Sequence, residues 1–183
     1  MPDLLILDDT KLILDVTEAQ DQKLISLLIK AVSAAVQKYC NRIFIRASYT
    51  ETHDGDGTVD ILVKNPPINS ITQITEDDVV VTSSWYVFYD DEGCIKRKDS
   101  GVWAKGIQNI VVQYSGGWLQ KSLPEDLKWA CLQWLNLMWK RKEDSRVGVS
   151  SWNFGDQSTT YITEEMTPEI KAVLDRYRIM GIA

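Results

Sequence analysis

The spacing of apolar residues changes twice along the 183-residue chain, and this change limits the folds open to it. From about Asp21 to Cys40 apolar residues recur every three or four positions, which predicts a long amphipathic helix. Between Ile43 and Tyr114 the pattern alternates and is rich in β-branched and aromatic residues, which predicts several short antiparallel strands. The helical period returns after Pro124. The chain is therefore expected to be an α+β protein.

The expected architecture is a helical bundle with an inserted antiparallel β region and an extended arm. The bundle would contain a long N-terminal helix, a Trp-rich helix and a C-terminal helix. The first helix is predicted to bury Leu24, Leu27, Leu28, Ala31, Val32, Ala34, Ala35 and Tyr39. The predicted organisation is one domain over 1–183, with helical 1–41, β 42–115, helical 122–144, the arm 145–165 and the closing helix 167–180.

The arm is unusual because it combines linker composition with large apolar residues. It is rich in Ser, Thr and Gly, and it also carries Val147, Val149, Trp152, Phe154, Tyr161 and Ile162. Connections of this length are commonly functional or disordered, and disordered segments are poor in aromatics. Two interpretations follow: an arm that orders by packing on another subunit, or a solvated β-hairpin with a few aromatics folded under it.

Seven tryptophans exceed what one small core needs. Trp118 and Trp134 are expected in the core, whereas Trp152 and Trp139 are expected at intermolecular contacts, where Trp is enriched.

Composition excludes several classes of function. A net charge of −6 disfavours nucleic-acid binding through a basic surface. No apolar run approaches the ~20 residues needed to span a bilayer, and the short run Leu4–Leu7 is flanked by acids, unlike a signal peptide. Cys40, Cys94 and Cys131 lie far apart, which favours a reducing, intracellular compartment over a disulfide framework or a zinc site.

Catalytic signals are weak, and the chain is expected not to be an enzyme and to need no cofactor or metal. Its one histidine, His53, lies in a Gly/Asp-rich stretch predicted to be a hairpin turn. Asp54, Asp56 and Asp60 do not match a calcium loop and are expected to support that turn. Two remote alternatives are a small hydrolase that uses His53 and a carbohydrate-binding β module with Trp85 or Trp103 as platforms.

Several stretches of the chain follow one another in a distinctive order: Val36–Phe44, Asn65–Ile71, Asn109–Trp118, Pro124–Ala130, and Phe154–Tyr161 followed by Pro168–Arg178. Each is a turn, a cap or a helix end, so none is specific by itself, but the ordered set spans nearly the whole chain. The ordered set resembles the head–tail connector (adaptor, or head-completion) proteins of long-tailed bacteriophages and prophages.

This resemblance implies a structural virion protein that forms a ring, typically a dodecamer, under the portal at the capsid vertex. The ring would receive the stopper or tail-completion protein, and DNA would pass through it without sequence-specific binding. The protein would occupy the virion neck after a period in the host cytoplasm; the alternative is a tail terminator or stopper of the same neck. The partner interface would be the arm and closing helix, at Val147, Val149, Trp152, Phe154, Tyr161, Ile162, Ile170, Leu174 and Tyr177.

Overall fold

Two compact units make up the chain. The structure, a computed structural model, describes residues 2–14, 19–143, 151–154, 157–160 and 166–179. The β unit is Arg42–Ser122, and the helical unit combines Met1–Asn41 with Leu123–Ala183. The expectation of one connector domain over the whole length stays a prediction.

The β unit contains two antiparallel sheets. One has four strands in the order β1-β7-β3-β4, and the other has three in the order β2-β6-β5. The long strand β7 lies between β1 and β3 and is antiparallel to both. The strands are β1 (Ala47–Gly55), β2 (Asp60–Leu62), β3 (Ile68–Glu76), β4 (Val79–Val80), β5 (Tyr86–Tyr89), β6 (Cys94–Arg97) and β7 (Gly106–Gly116).

Both sheets contribute to one hydrophobic core. Alternate residues of β7 point into it, and Ile110, Val112 and Tyr114 are at most 1% exposed. Ile95 of β6 and Trp103 are buried in the same cluster. Burial of each such side chain stabilises the fold by about 1.5–3 kcal/mol, so the β unit has a substantial core of its own.

The predicted helical bundle with an inserted β region is wrong. The protein is a mixed structure in which four helices occur among the described residues beside two antiparallel sheets. The reason lies in the alternating strands, whose inward residues are apolar enough to fill a core between the sheets.

The predicted hairpin around His53 is also wrong. His53 lies within β1, opposite Ile110 of β7, and β2 pairs with β6 instead of β1. A nine-residue strand gains a longer ladder from β7 than the three-residue β2 could offer. The Asp/Gly turn itself is present after β1, with Gly57 at φ +81° and the Thr58 amide donating to Asp56 Oδ1 at 2.8 Å.

The helical unit contains α1 (Leu7–Leu14), α2 (Ala19–Cys40), α3 (Glu125–Glu143) and α4 (Pro168–Tyr177). It also contains the two-stranded sheet of β8 (Ser151–Phe154) and β9 (Gln157–Thr160), which we call the β8–β9 hairpin. Each of these four helices lies within a segment expected to be helical, 1–41, 122–144 or 167–180. On α3 the residues Leu127, Ala130, Cys131 and Trp134 are buried.

The buried stripe of α2 differs from the predicted one. It consists of Ile25, Ile29, Val32, Val36 and Cys40, whereas Leu27 is 63% exposed. Two polar residues also lie on this face because the preceding segment supplies their partners. Ser33 Oγ accepts from the Leu4 amide at 2.9 Å, and Gln37 Nε2 donates to the Pro2 carbonyl at 3.0 Å. Hydrogen bonding of these groups makes their burial tolerable, which a search for apolar residues cannot reveal.

A polar network around Glu51 joins β1, β7 and the segment before β3. The Glu51 carboxylate accepts from the Tyr114 hydroxyl and, at 3.0 Å, from the Lys64 amide. His53 Nε2 lies 3.3 Å from Glu51 Oε2. Burial opposes ionisation of Glu51, but the interactions with His53, Tyr114 and the Lys64 amide prevail, and the pKa of Glu51 is lowered. The same burial, together with Glu51, raises the pKa of Tyr114.

We expect Glu51→Gln to lower the free energy of unfolding at pH 7 by about 1–3 kcal/mol, because a charged acceptor is lost from a mostly buried network. A lowered carboxyl pKa stabilises the fold above the ordinary value of ~4.3 and ceases to do so as the pH falls through the folded-state pKa. Wild type and variant should therefore converge in acid. Urea denaturation at pH 7 and at about pH 3.5 measures this. Asp91→Asn, at an exposed carboxylate, is the control, and a constant difference at both pH values would contradict the account.

Candidate assembly interface

Exposed apolar side chains lie along β5 and beside it in the β unit. Trp85 is 63% exposed, Val79 and Val80 of β4 are 68% and 60% exposed, and Val102 is 54% exposed. Exposure of apolar surface to water costs roughly 25 cal/mol of free energy per Å². Clustered apolar patches therefore commonly mark interaction sites. We call the set the Trp85 surface; its members are Val79, Val80, Trp85 and Val102.

Trp85 stands between two shallow hollows. Val79 to Thr82 line one hollow, and Lys98 to Val102 contribute to the other. Glu76, Trp85 and Arg97 border both. The indole is thus a ridge with a depression on each side, a relief that a complementary apolar surface can fill.

The backbone at Trp85 is fixed on both sides. Its amide donates to the Thr82 carbonyl at 3.0 Å, closing a short 3₁₀ turn over Ser83–Trp85. Its carbonyl accepts from the Lys98 amide at 3.0 Å, which extends the β5–β6 ladder. With the backbone fixed, only the two side-chain torsions of the indole remain to be ordered when a partner covers it.

Under Trp85 lies a buried cation. The Arg97 guanidinium carbon is 5.8 Å from the Trp85 ring centroid and 4.3 Å from that of Trp103. Arg97 pairs with the Glu76 carboxylate, which also accepts from the Ala104 amide at 2.7 Å. Trp103 is 1% exposed, and its Nε1 donates to the Val59 carbonyl at 3.0 Å. Beneath Trp85, therefore, the charge of Arg97 is balanced by that of Glu76, and the Trp103 ring is packed against the guanidinium.

Residues of the predicted interface fall into three groups. Ile170 and Leu174 of α4 are 1% and 0% exposed within their own chain, and the Tyr177 hydroxyl donates to Asp126 Oδ1 at 2.5 Å. Trp152 and Phe154 belong to β8, for which the structure describes the backbone. The remaining four lie outside the described residues: Val147, Val149, Tyr161 and Ile162. The assignment of the whole set to a partner contact stays a prediction.

The tryptophans are distributed differently from expectation. Trp134 is buried as predicted, but Trp139, expected at an intermolecular contact, is only 4% exposed. Trp103 is also buried, so it cannot serve as a sugar-stacking platform. Trp85 was not among the predicted interface residues; the signal for it is its position next to a short strand of four consecutive large apolar residues, Tyr86–Tyr89.

The described residues offer little for catalysis. Within them, no group of three or more His, Cys, Asp or Glu side chains could hold a metal ion. Cys40, Cys94 and Cys131 are buried and lie outside any disulfide bond, and burial raises the pKa of Cys131 to about 12, far from a reactive thiolate. No helix in the same ranges has the length and apolar character needed to cross a bilayer.

The chain belongs to the head completion protein family, whose model matches residues 3–180. This confirms the resemblance and, with it, the expected role as a structural virion protein of the head–tail connector class. The more specific expectations about its partners do not follow from membership.

Solved structures agree on the fold. The chain is similar to one in the neck of an empty gene transfer agent particle computed with C6 symmetry, with a TM-score of 0.63, 14% identity and coverage of 98% of this chain and 92% of that one. A chain in the neck of the native gene transfer agent particle, computed with C12 symmetry, has a TM-score of 0.56 and 14% identity, over 87% of this chain and 84% of that one. A chain in the virion of the native gene transfer agent particle has a TM-score of 0.59 and 13% identity, over 98% of this chain and 92% of that one. No curated protein matches the chain.

Arg97→Met should lower the free energy of unfolding by about 3–5 kcal/mol, because it leaves the Glu76 carboxylate without its cation in a mostly buried site. The double variant Arg97→Met with Glu76→Leu should regain much of that loss, since it removes both charges. Urea denaturation of the wild type, both single variants and the double variant measures the coupling. Additive losses would show that the pair does not act as a unit.

Proposed function

We propose that this protein forms a closed ring under the portal at the capsid vertex, typically a dodecamer, and presents its other face to the stopper or tail-completion protein. The single observation that carries the proposal is the family match over residues 3–180. The neck structures with similar chains, computed with C6 and C12 symmetry, support a ring. A head-to-tail contact repeated by rotation closes such a ring when the rotation fits.

The Trp85 surface supplies a contact of the required kind. An exposed indole over a rigid floor resembles the anchors on which interfaces concentrate their binding free energy. In the isolated chain this apolar area faces water, and ring closure would cover it. We assign the subunit contact to this surface together with the arm and closing helix named from the sequence.

Charge suits a channel through which DNA passes. The chain carries 20 Lys and Arg residues against 26 Asp and Glu residues, a net charge of −6 that repels phosphates overall, whereas each neutralised phosphate would add affinity and salt dependence. A ring of such chains would hold DNA weakly, which permits sliding. This role is architectural and needs no catalytic group, so we propose that the protein is not an enzyme.

Heads assembled without this protein should contain DNA but fail to join tails. Adding the purified protein should restore joined particles, because it supplies the missing platform. Electron microscopy and infectious or transfer titre measure the outcome. If heads that lack the protein join tails at the normal yield, the connector role is contradicted.

Trp85→Ser should weaken association between subunits by about 30-fold or more, the effect expected of an interface anchor. Trp129→Ser removes an indole of similar exposure, 56%, from the helical unit and is the matched control. Sedimentation velocity over a range of concentrations measures the association. If wild type and the Trp85 variant associate equally, the Trp85 surface does not lie in the subunit interface.

A further inference from the structure

Strand β5 presents a free edge. It is the last strand of the β2-β6-β5 sheet, and among the described strands only β6 pairs with it. The Lys98 amide donates to the Trp85 carbonyl, so position 85 faces β6, and by the antiparallel alternation so do Val87 and Tyr89. The amides and carbonyls of Tyr86 and Phe88 therefore point away from the sheet.

This edge lacks the features that discourage strand addition. Natural proteins protect sheet edges with charges, prolines, bulges or covering elements. Residues Tyr86–Tyr89 read Tyr-Val-Phe-Tyr, without proline, glycine or charge. The opposite edge of the same sheet, β2, is three residues long and begins with Asp60, which pairs with Lys96 at 3.4 Å.

Exposed side chains on β5 would support an added strand. Val87 and Phe88 are 37% exposed and Tyr89 is 45% exposed. A strand that adds to a sheet edge gains backbone hydrogen bonds for affinity, while neighbouring side chains give specificity. The β5 edge thus offers both kinds of contact, next to the Trp85 ridge.

The β8–β9 hairpin would be stabilised by pairing with a further strand. Its two strands of four residues pair with each other, and among the described strands with no other. A two-stranded hairpin by itself is only marginally stable in water, and a third strand stabilises it. Each of its strands is as long as β5.

We propose that the β8–β9 hairpin of one copy adds to the free edge of β5 in the next copy, giving a continuous sheet across each subunit contact. The inference rests on the proposed ring. The contact joins two different surfaces, so its repetition around an axis is the heterologous arrangement that a ring requires. It also gives the arm a defined receptor on the neighbouring subunit.

Phe88→Pro tests the backbone contact. Proline removes an amide that points to the free edge, so the β5–β6 ladder should remain, as for prolines on edge strands. Association between copies of the full chain should weaken at least tenfold. Phe88→Val, which keeps the amide and a β-favouring side chain, should associate much more strongly than the proline variant. Sedimentation gives the association, and circular dichroism with thermal melting checks the fold.

A cross-linking experiment gives an independent answer should the proline variant fail to fold. One batch of full-length chain carries Val87→Cys and the other Ser158→Cys, and the native cysteines are buried. A short bismaleimide should join the mixed batches into heterodimers, a product that cannot arise within one chain. Wild type treated alone gives the background, and Leu27→Cys in place of Val87→Cys, at an exposed site of α2, is the matched control.

The outcomes separate this inference from the proposed function. Weakened rings with Phe88→Pro and a specific Val87–Ser158 cross-link support it. Rings that form normally with Phe88→Pro, or that give no cross-link above the Leu27 control, overturn it and leave the ring intact. If Phe88→Pro rings form normally but fail to join tails, the β5 edge contacts another neck protein instead of the hairpin, which also overturns the inference. Completed particles whose necks contain no ring of this chain contradict the ring itself.

Discussion

The β unit depends most on the packing and hydrogen bonding of the buried Trp103 side chain. Its Nε1 donates to the Val59 carbonyl beside β2, its backbone amide donates to Thr58, and its ring lies against the Arg97 guanidinium of β6. It also belongs to the core shared by both sheets. One side chain thereby ties the three-stranded sheet to the common core and fixes the cation that lies beneath Trp85.

The exposed features follow from this packing. Arg97 pairs with the Glu76 carboxylate below the surface, and the Trp85 ring lies over the Arg97 guanidinium. Because β6 uses its other side for β2, β5 is left as the edge of the sheet. A rigid apolar ridge and an unpaired strand edge therefore occur side by side, which suits a protein that functions by attaching to other copies and to neck components.

Local patterns predicted the elements well but their partners poorly. The helix that follows Pro124 was readable because helix N-termini have local chemistry. The pairing of β1 with β7 was not, because residues some 60 positions apart leave no local signal. The buried stripe of α2 was missed where Ser33 and Gln37 depend on the backbone of Pro2–Leu4.

The same limit explains the candidate interface. Family resemblance located the role, but Trp85 and Trp139 look alike in a sequence, and only the packing shows that the first is exposed and the second buried. Electron cryo-microscopy of completed particles tests the central claim most directly. Our account predicts a ring of copies below the portal in which Trp85 and the free side of β5 are covered by the adjacent subunit. A neck in which this edge faces solvent in every copy would contradict it.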